Sequence, residues 1–333
     1  MDALQARRKP TAPISLSALG QVGHGLARPE CVLATARGDV YVADWRGGVT
    51  HLLPDGGQTS YLGIQTPDGV TLKPNGIALL ADGSFLLAQL GTDDGGVYRL
   101  QRNGVATPWL MRVDGVDLPP TNFVLQDQAG RTWITVSTRH QPRAAAYRSD
   151  IADGFIACVD ACGRAAIVAD GLGYTNEVAL HPSGQWLYVN ETFARRLSRF
   201  ALRADGSLGA RETMTTFGEG CFPDGLAFDE DGHAWVVSLI SNRVIRVAPD
   251  GLQTLWIEDA DAQHLQWVED AYRSHTMGRP HLDIVCSQRL KNISSIAFAG
   301  ADRRSALFGC LLGENLVNVR LPVAGVAPIH WAY

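Results

Sequence analysis

Short apolar runs broken by Gly-bearing turns recur along this 333-residue chain, and each run has the length of a strand rather than a helix. Val40-Tyr41-Val42-Ala43, Thr132-Trp133-Ile134-Thr135-Val136 and Ala234-Trp235-Val236-Val237 read as strands, with partners such as 96–100 and 242–247. Asp55-Gly56, Asn103-Gly104 and Asp250-Gly251 supply the turns that hairpins favour. One phase of the pattern is stricter than the rest. Six times a small polar or acidic residue opens directly onto an apolar strand, at Glu30, Asn75, Asn122, Asn176, Asp224 and Ser294. These positions stand roughly 45–55 residues apart, with one longer step before the last, which is the period of a four-stranded propeller blade. The pattern predicts an all-β fold, a six-bladed β-propeller of four-stranded blades, with residues 1–333 as one domain. Residues 1–13 precede the first repeat and are expected to be disordered. The longest departure from the period, 258–292, holds a helical pattern over 261–270. Leu265, Trp267, Val268 and Tyr272 make it a packed, lid-like insertion with a short helix. A second insertion, 138–153, is expected on the same face.

Composition narrows the function classes. The 35 glycines have no collagen-like period and agree with many tight turns. A net charge of -5 lacks the basic footprint of nucleic-acid binding. No run approaches the ~18 apolar residues of a membrane helix, and the first ten residues lack the apolar stretch of a secretory leader. The expectation is a soluble, cytoplasmic protein whose partner is a small-molecule substrate, not nucleic acid or membrane. Of six cysteines only Cys158 and Cys162 are close, without the second pair of a zinc site, so all six are expected to be reduced. Phosphate-cradling Gly loops, His-Glu-x-x-His and Gly-x-Ser-x-Gly are absent.

The strict phase carries the chemistry. In a propeller the first strand of each blade lines the central channel, so residues at one phase of the repeat meet in a ring. Turn preference explains any single Asn or Asp at a strand start. It does not explain two carboxylates and three amides at one phase. All six residues present oxygen, the donor that hard cations take, and Glu30 with Asp224 supplies two negative charges to balance a dication.

Arg28-Pro29-Glu30, Thr121-Asn122-Phe123, Tyr174-Thr175-Asn176-Glu177 and Phe222-Pro223-Asp224-Gly225 resemble motifs of the SMP-30, gluconolactonase and LRE group of propeller hydrolases. The resemblance runs over residues 27 to 331. It implies that Glu30, Asn176 and Asp224 bind one divalent metal ion, with Asn122 a candidate fourth ligand or a contact to water or substrate. Ca, Zn, Mg, Mn and Fe(II) all suit such donors. The implied activity is lactone opening, in which the ion polarises the carbonyl and activates water, with Asp224 as general base. Loops expected on the same face offer Trp45, Arg139, His140 and Glu191 as substrate contacts. Regucalcin-like members flank the third-blade Asn with an Arg and an Asp. Here Pro120 and Phe123 stand at those places, which predicts an apolar wall beside the ion and acceptance of less hydroxylated lactones or esters. The alternatives are a phosphotriesterase-like hydrolase or lyase on the same scaffold, and a non-catalytic propeller that binds a ligand.

Overall fold

The computed structural model describes residues 14–63, 66 and 69–333; the expectation for residues 1–13 lies outside them. Among the described residues the strands form six four-stranded antiparallel sheets, the blades of a β-propeller. A separate two-stranded hairpin pairs Arg112–Val113 with Val116–Asp117. The inner strands are Val32–Ala34, Pro74–Leu79, Thr121–Gln126, Thr175–Leu180, Cys221–Phe228 and Ile293–Ala299. Five blades are consecutive in sequence. The sixth is completed from the other end of the chain, because Gly20–Val22 pairs with Leu316–Arg320. This strand, three residues long and only partly buried, carries no apolar alternation and is invisible to the repeat. It closes the ring of blades, which otherwise would leave an open edge.

A repeated turn anchors the second strands of two blades. Trp133 and Trp235 occupy equivalent second strands, in blades three and five, and both are fully buried. Each indole needs an acceptor once buried. Trp133 Nε1 donates to Asp127 at 2.9 Å and Trp235 Nε1 donates to Asp229 at 2.8 Å. The same aspartates accept backbone N–H groups of their own turns and a guanidinium, from Arg131 and Arg246 respectively, each at 2.7 Å. None of the six cysteines is in a disulfide, and four of them are buried. No described helix is long and apolar enough to cross a membrane.

Candidate functional site

Five of the six inner strands break register at one phase. The ladder skips between Pro74 and Ile77, Thr121 and Phe123, Thr175 and Val178, Pro223 and Leu226, and Ile293 and Ser295. In each case the inner strand carries one residue more than its partner, which is a β-bulge, a device that re-aims a side chain. Asn75, Asn122, Asn176, Asp224 and Ser294 all lie within these bulges. Glycine follows the ring residue where the inner strands crowd together. A Cβ on Gly225 would sit 2.5 Å from Ser295 Cα, and one on Gly76 would sit 2.7 Å from Phe123 Cα. The repeated Asn-Gly and Asp-Gly pairs are therefore a demand of packing near the axis.

Glu30, Asn122, Asn176 and Asp224 line one small cavity of about 30 Å³. That volume is close to the share of one water in the liquid. Hydrogen bonds fix the Glu30 and Asn176 side chains and the backbone that carries Asp224. Arg28 Nε donates to Glu30 Oε2 at 2.6 Å, and its guanidinium stacks on Trp45 at 4.1 Å. Ser294 Oγ donates to the Glu30 carbonyl at 3.1 Å. Asn176 Nδ2 donates to Thr192 Oγ1 at 3.0 Å, and that hydroxyl donates to the Pro223 carbonyl at 2.8 Å. Asn190 Nδ2 donates to the carbonyls of Asp224 and Gly225, while Leu226 N donates to Glu177 Oε2 at 2.9 Å. Blade four thus clamps the backbone that carries Asp224.

These donors leave oxygens without partners. Asn75 Oδ1, Asn122 Oδ1 and Asn176 Oδ1 are buried and accept no hydrogen bond. Each unsatisfied buried acceptor costs about 1–3 kcal/mol, so three at one phase call for a donor or a cation. The carboxylates make the same demand. Burial, then the nearby Glu30 and Glu177 carboxylates, push the Asp224 carboxyl well above the usual range; Arg28 and the Asn176 amide offset this only in part. Burial and Glu30 likewise raise Glu177. An all-oxygen set of two carboxylates and amide carbonyls fits a divalent cation.

The upper wall of the cavity comes from the two insertions. Segment 138–153 contributes Arg143 and Tyr147, and segment 258–292 contributes Arg279 and Leu282. The second begins with the helix Ala262–Arg273, capped by Asp261, whose side chain accepts from His264 N at 2.8 Å. Tyr147, Tyr174, Phe193, Val268, Tyr272 and Leu282 pack together in one apolar cluster.

The other sequence-derived contacts lie elsewhere. Arg139 makes a bidentate pair with Asp170 and stacks on Phe155, and His140 Nδ1 pairs with Asp153 at 2.8 Å. Glu191 is fully buried and held by Arg196, Ser198 and the Gly173 amide. Trp45 lies behind Arg28 and does not line the cavity. Phe123 corrects the expectation of an apolar wall beside the ion. It lines a second cavity, of about 420 Å³, along the rest of the channel. Cys31, Phe123, Glu177 and Ser295, each one residue after a ring position, all line that second cavity and form the layer between the two. Pro120 lines neither.

A cluster of Asp229, Asp231 and His233 also has ligand atoms close together. Asp229 is already saturated there: Oδ1 accepts from the Asp231 and His233 amides, and Oδ2 from Trp235 and Arg246. Arg246 also pairs with Asp231 at 2.9 Å. The same turn recurs around Asp127 without a second acid, so its role is structural.

Residues 28–259 match the model of the SMP-30/Gluconolactonase/LRE-like region. A 6-deoxy-6-sulfogluconolactonase of Pseudomonas putida is 32% identical over 227 residues, covering 67% of this chain and 72% of that protein. Among solved structures, a gluconolactonase from Xanthomonas campestris aligns with a TM-score of 0.65 at 21% identity, over 90% of this chain and 88% of its own. Regucalcin from Agrobacterium tumefaciens, a calcium-binding protein, aligns with a TM-score of 0.66 at 18% identity, over 98% of this chain and 100% of its own. At those identities the structural likeness speaks for the fold alone. The family match and the Pseudomonas relative go further: the chain belongs to the SMP-30/gluconolactonase/LRE-like family.

Proposed function

We propose that this protein is a metal-dependent hydrolase that opens lactones. The observation that carries the reading is the convergence of Glu30, Asp224 and the unpartnered amide oxygens of Asn122 and Asn176 on one buried cavity. Glu30, Asn176 and Asp224 would hold a divalent cation, with Asn122 as fourth contact to ion or substrate. When bound, the cation supplies charge that neutralises the two carboxylates and Lewis acidity toward the lactone carbonyl. Asp224 takes a proton from the attacking water at its carboxylate. A carboxylate held at the ring beside the reacting carbonyl is placed to act as general base. Water oxygen bonds to the carbonyl carbon, the ring C–O bond breaks, and Asp224 returns its proton to the departing alkoxide. Tyr147, Tyr174 and Leu282 form an apolar roof that limits access of other water. The relative named for a sulfonated gluconolactone supports a lactone substrate.

The test is turnover of glucono-δ-lactone, a simple γ-lactone and a phosphotriester by metal-stripped protein, before and after adding back single dications. Hydrolysis of a lactone that vanishes on stripping and returns on addition is expected. Higher efficiency on the phosphotriester, or lactone turnover indifferent to stripping, would overturn the reading.

A further inference from the structure

We infer that the substrate carries a negatively charged group at the end remote from the ester, and that Arg143 is the residue that selects for it. The inference rests on the lactone reading above and deepens it.

Three guanidiniums, of Arg28, Arg143 and Arg279, line the small cavity against two carboxylates, those of Glu30 and Asp224. Pairing these charges one by one leaves a single guanidinium without a carboxylate of its own. Two of the three are engaged. Arg28 is bound to Glu30. Arg279 is held by Asp283 and the Tyr147 hydroxyl. Arg143 differs: it is half-buried, yet it makes no hydrogen bond or ion pair to any described residue. It opens the short turn Arg143–Ala146, and Ala146 and Tyr147 behind it are buried in the aromatic cluster. Its backbone is thus anchored while its charge is left uncommitted.

Position decides which end of the substrate it meets. Glu30, just before the first inner strand, and Asp224, on the fifth, mark the end of the cavity where the ester reacts. Arg143 and Arg279 come from the two insertions, across the cavity from that ring. A molecule with its ester at the ring extends outward past the small cavity, and a distal sulfonate, phosphate or carboxylate would meet the two half-exposed insertion arginines at its mouth. Arg143, with all its donors free, can form the bidentate pair that guanidinium makes with such oxyanions. A hydrogen bond of this charge-assisted kind corresponds to about tenfold to a hundredfold in affinity.

The experiment measures binding without turnover. Gluconate, 6-phosphogluconate, 6-deoxy-6-sulfogluconate and glucarate are titrated calorimetrically into wild type, Arg143→Gln and Arg143→Lys. The first ligand is neutral at C6, and the others carry a phosphate, a sulfonate and a carboxylate there. Wild type is expected to prefer at least one C6-anionic ligand over gluconate by about tenfold or more, and the preferred arm identifies the group. Arg143→Gln should erase the preference and Arg143→Lys keep part of it, with melting temperatures within a degree or so of wild type. With lactones, Arg143→Gln should raise KM for the C6-anionic lactone by the same factor relative to glucono-δ-lactone, leaving the ratio of kcat values near unity. Equal affinities in wild type, or equal losses on neutral and anionic ligands, would overturn the assignment, the second by moving Arg143 to the carboxylate end. If the binding preference holds while no lactone is turned over, the anion site stands and the lactonase reading falls.

Discussion

Asp224→Asn is expected to lower lactone turnover by about 10³-fold and, at the same time, to raise the melting temperature of the metal-stripped protein. The first effect follows from removing the base and one anionic oxygen donor together. The second follows from the sign of the carboxyl's shift. In the unfolded chain Asp224 ionises near its ordinary 3.8, but in the folded protein burial and the Glu30 and Glu177 carboxylates hold the proton on to higher pH. Above the unfolded value the native state keeps a proton that the unfolded state has released. Stability of the stripped wild type therefore falls as pH rises from about 4 up to the raised folded value. Asparagine does not ionise, so the variant should show a flatter profile, with Glu177 contributing the remaining slope. Melting curves of both stripped proteins between pH 5 and 8 check this. A variant that melts below wild type throughout would show that Asp224 is not electrostatically strained.

Glu269→Ala is expected to cost about 3–5 kcal/mol, the range for breaking a buried ion pair. Glu269 accepts from Arg195 at 3.1 and 2.5 Å and from the Gly220 amide at 2.5 Å. Its side chain is 4% exposed and that of Arg195 is 12% exposed. The arginine is also sandwiched over Tyr272 at 3.8 Å and Phe222 at 4.4 Å. Truncation would leave a buried guanidinium without its counter-charge and a backbone donor without an acceptor. The helix Ala262–Arg273 would lose its main polar anchor to blades four and five, and with it the register of Arg279 and Leu282 over the cavity. We expect the melting temperature to drop by roughly 4–7 °C, with KM rising. Glu269→Gln, which keeps an acceptor without charge, should fall between. A melting temperature for Glu269→Ala within a degree of wild type would mean that the helix is held by its apolar face alone.

The ring of oxygen donors was legible because repetition reveals phase. Six strand starts, each with a polar residue, specify which side chains face the axis before any contact is known, and the bulges then turn Asn122, Asn176 and Asp224 into one cavity. Facing just beyond the ring was not legible. A bulge adds one residue and resets the alternation of sides, so Phe123 joins the layer facing the second cavity. The loops were harder still. Insertions 138–153 and 258–292 have no counterpart in other blades, so nothing in the sequence ranks Arg143 above Arg139 or His140. Only folding shows that Arg139 and His140 are consumed by Asp170 and Asp153 while Arg143 is left free. Glu191 misled for a related reason. Its place at the end of a second strand puts it near the site face, but Arg196, on the neighbouring strand, claims it.

We propose a single dication among Glu30, Asn176 and Asp224. Calorimetric titration of metal-stripped protein with Ca²⁺, Zn²⁺, Mn²⁺ and Mg²⁺ tests it most directly, with wild type, Glu30→Gln, Asp224→Asn and Asp231→Asn run in parallel. One site per chain is expected for at least one of these ions, abolished by Glu30→Gln and by Asp224→Asn and untouched by Asp231→Asn. Binding that survives the first two substitutions and is lost with the third would put the ion at the acidic turn of blade five and not in the central channel.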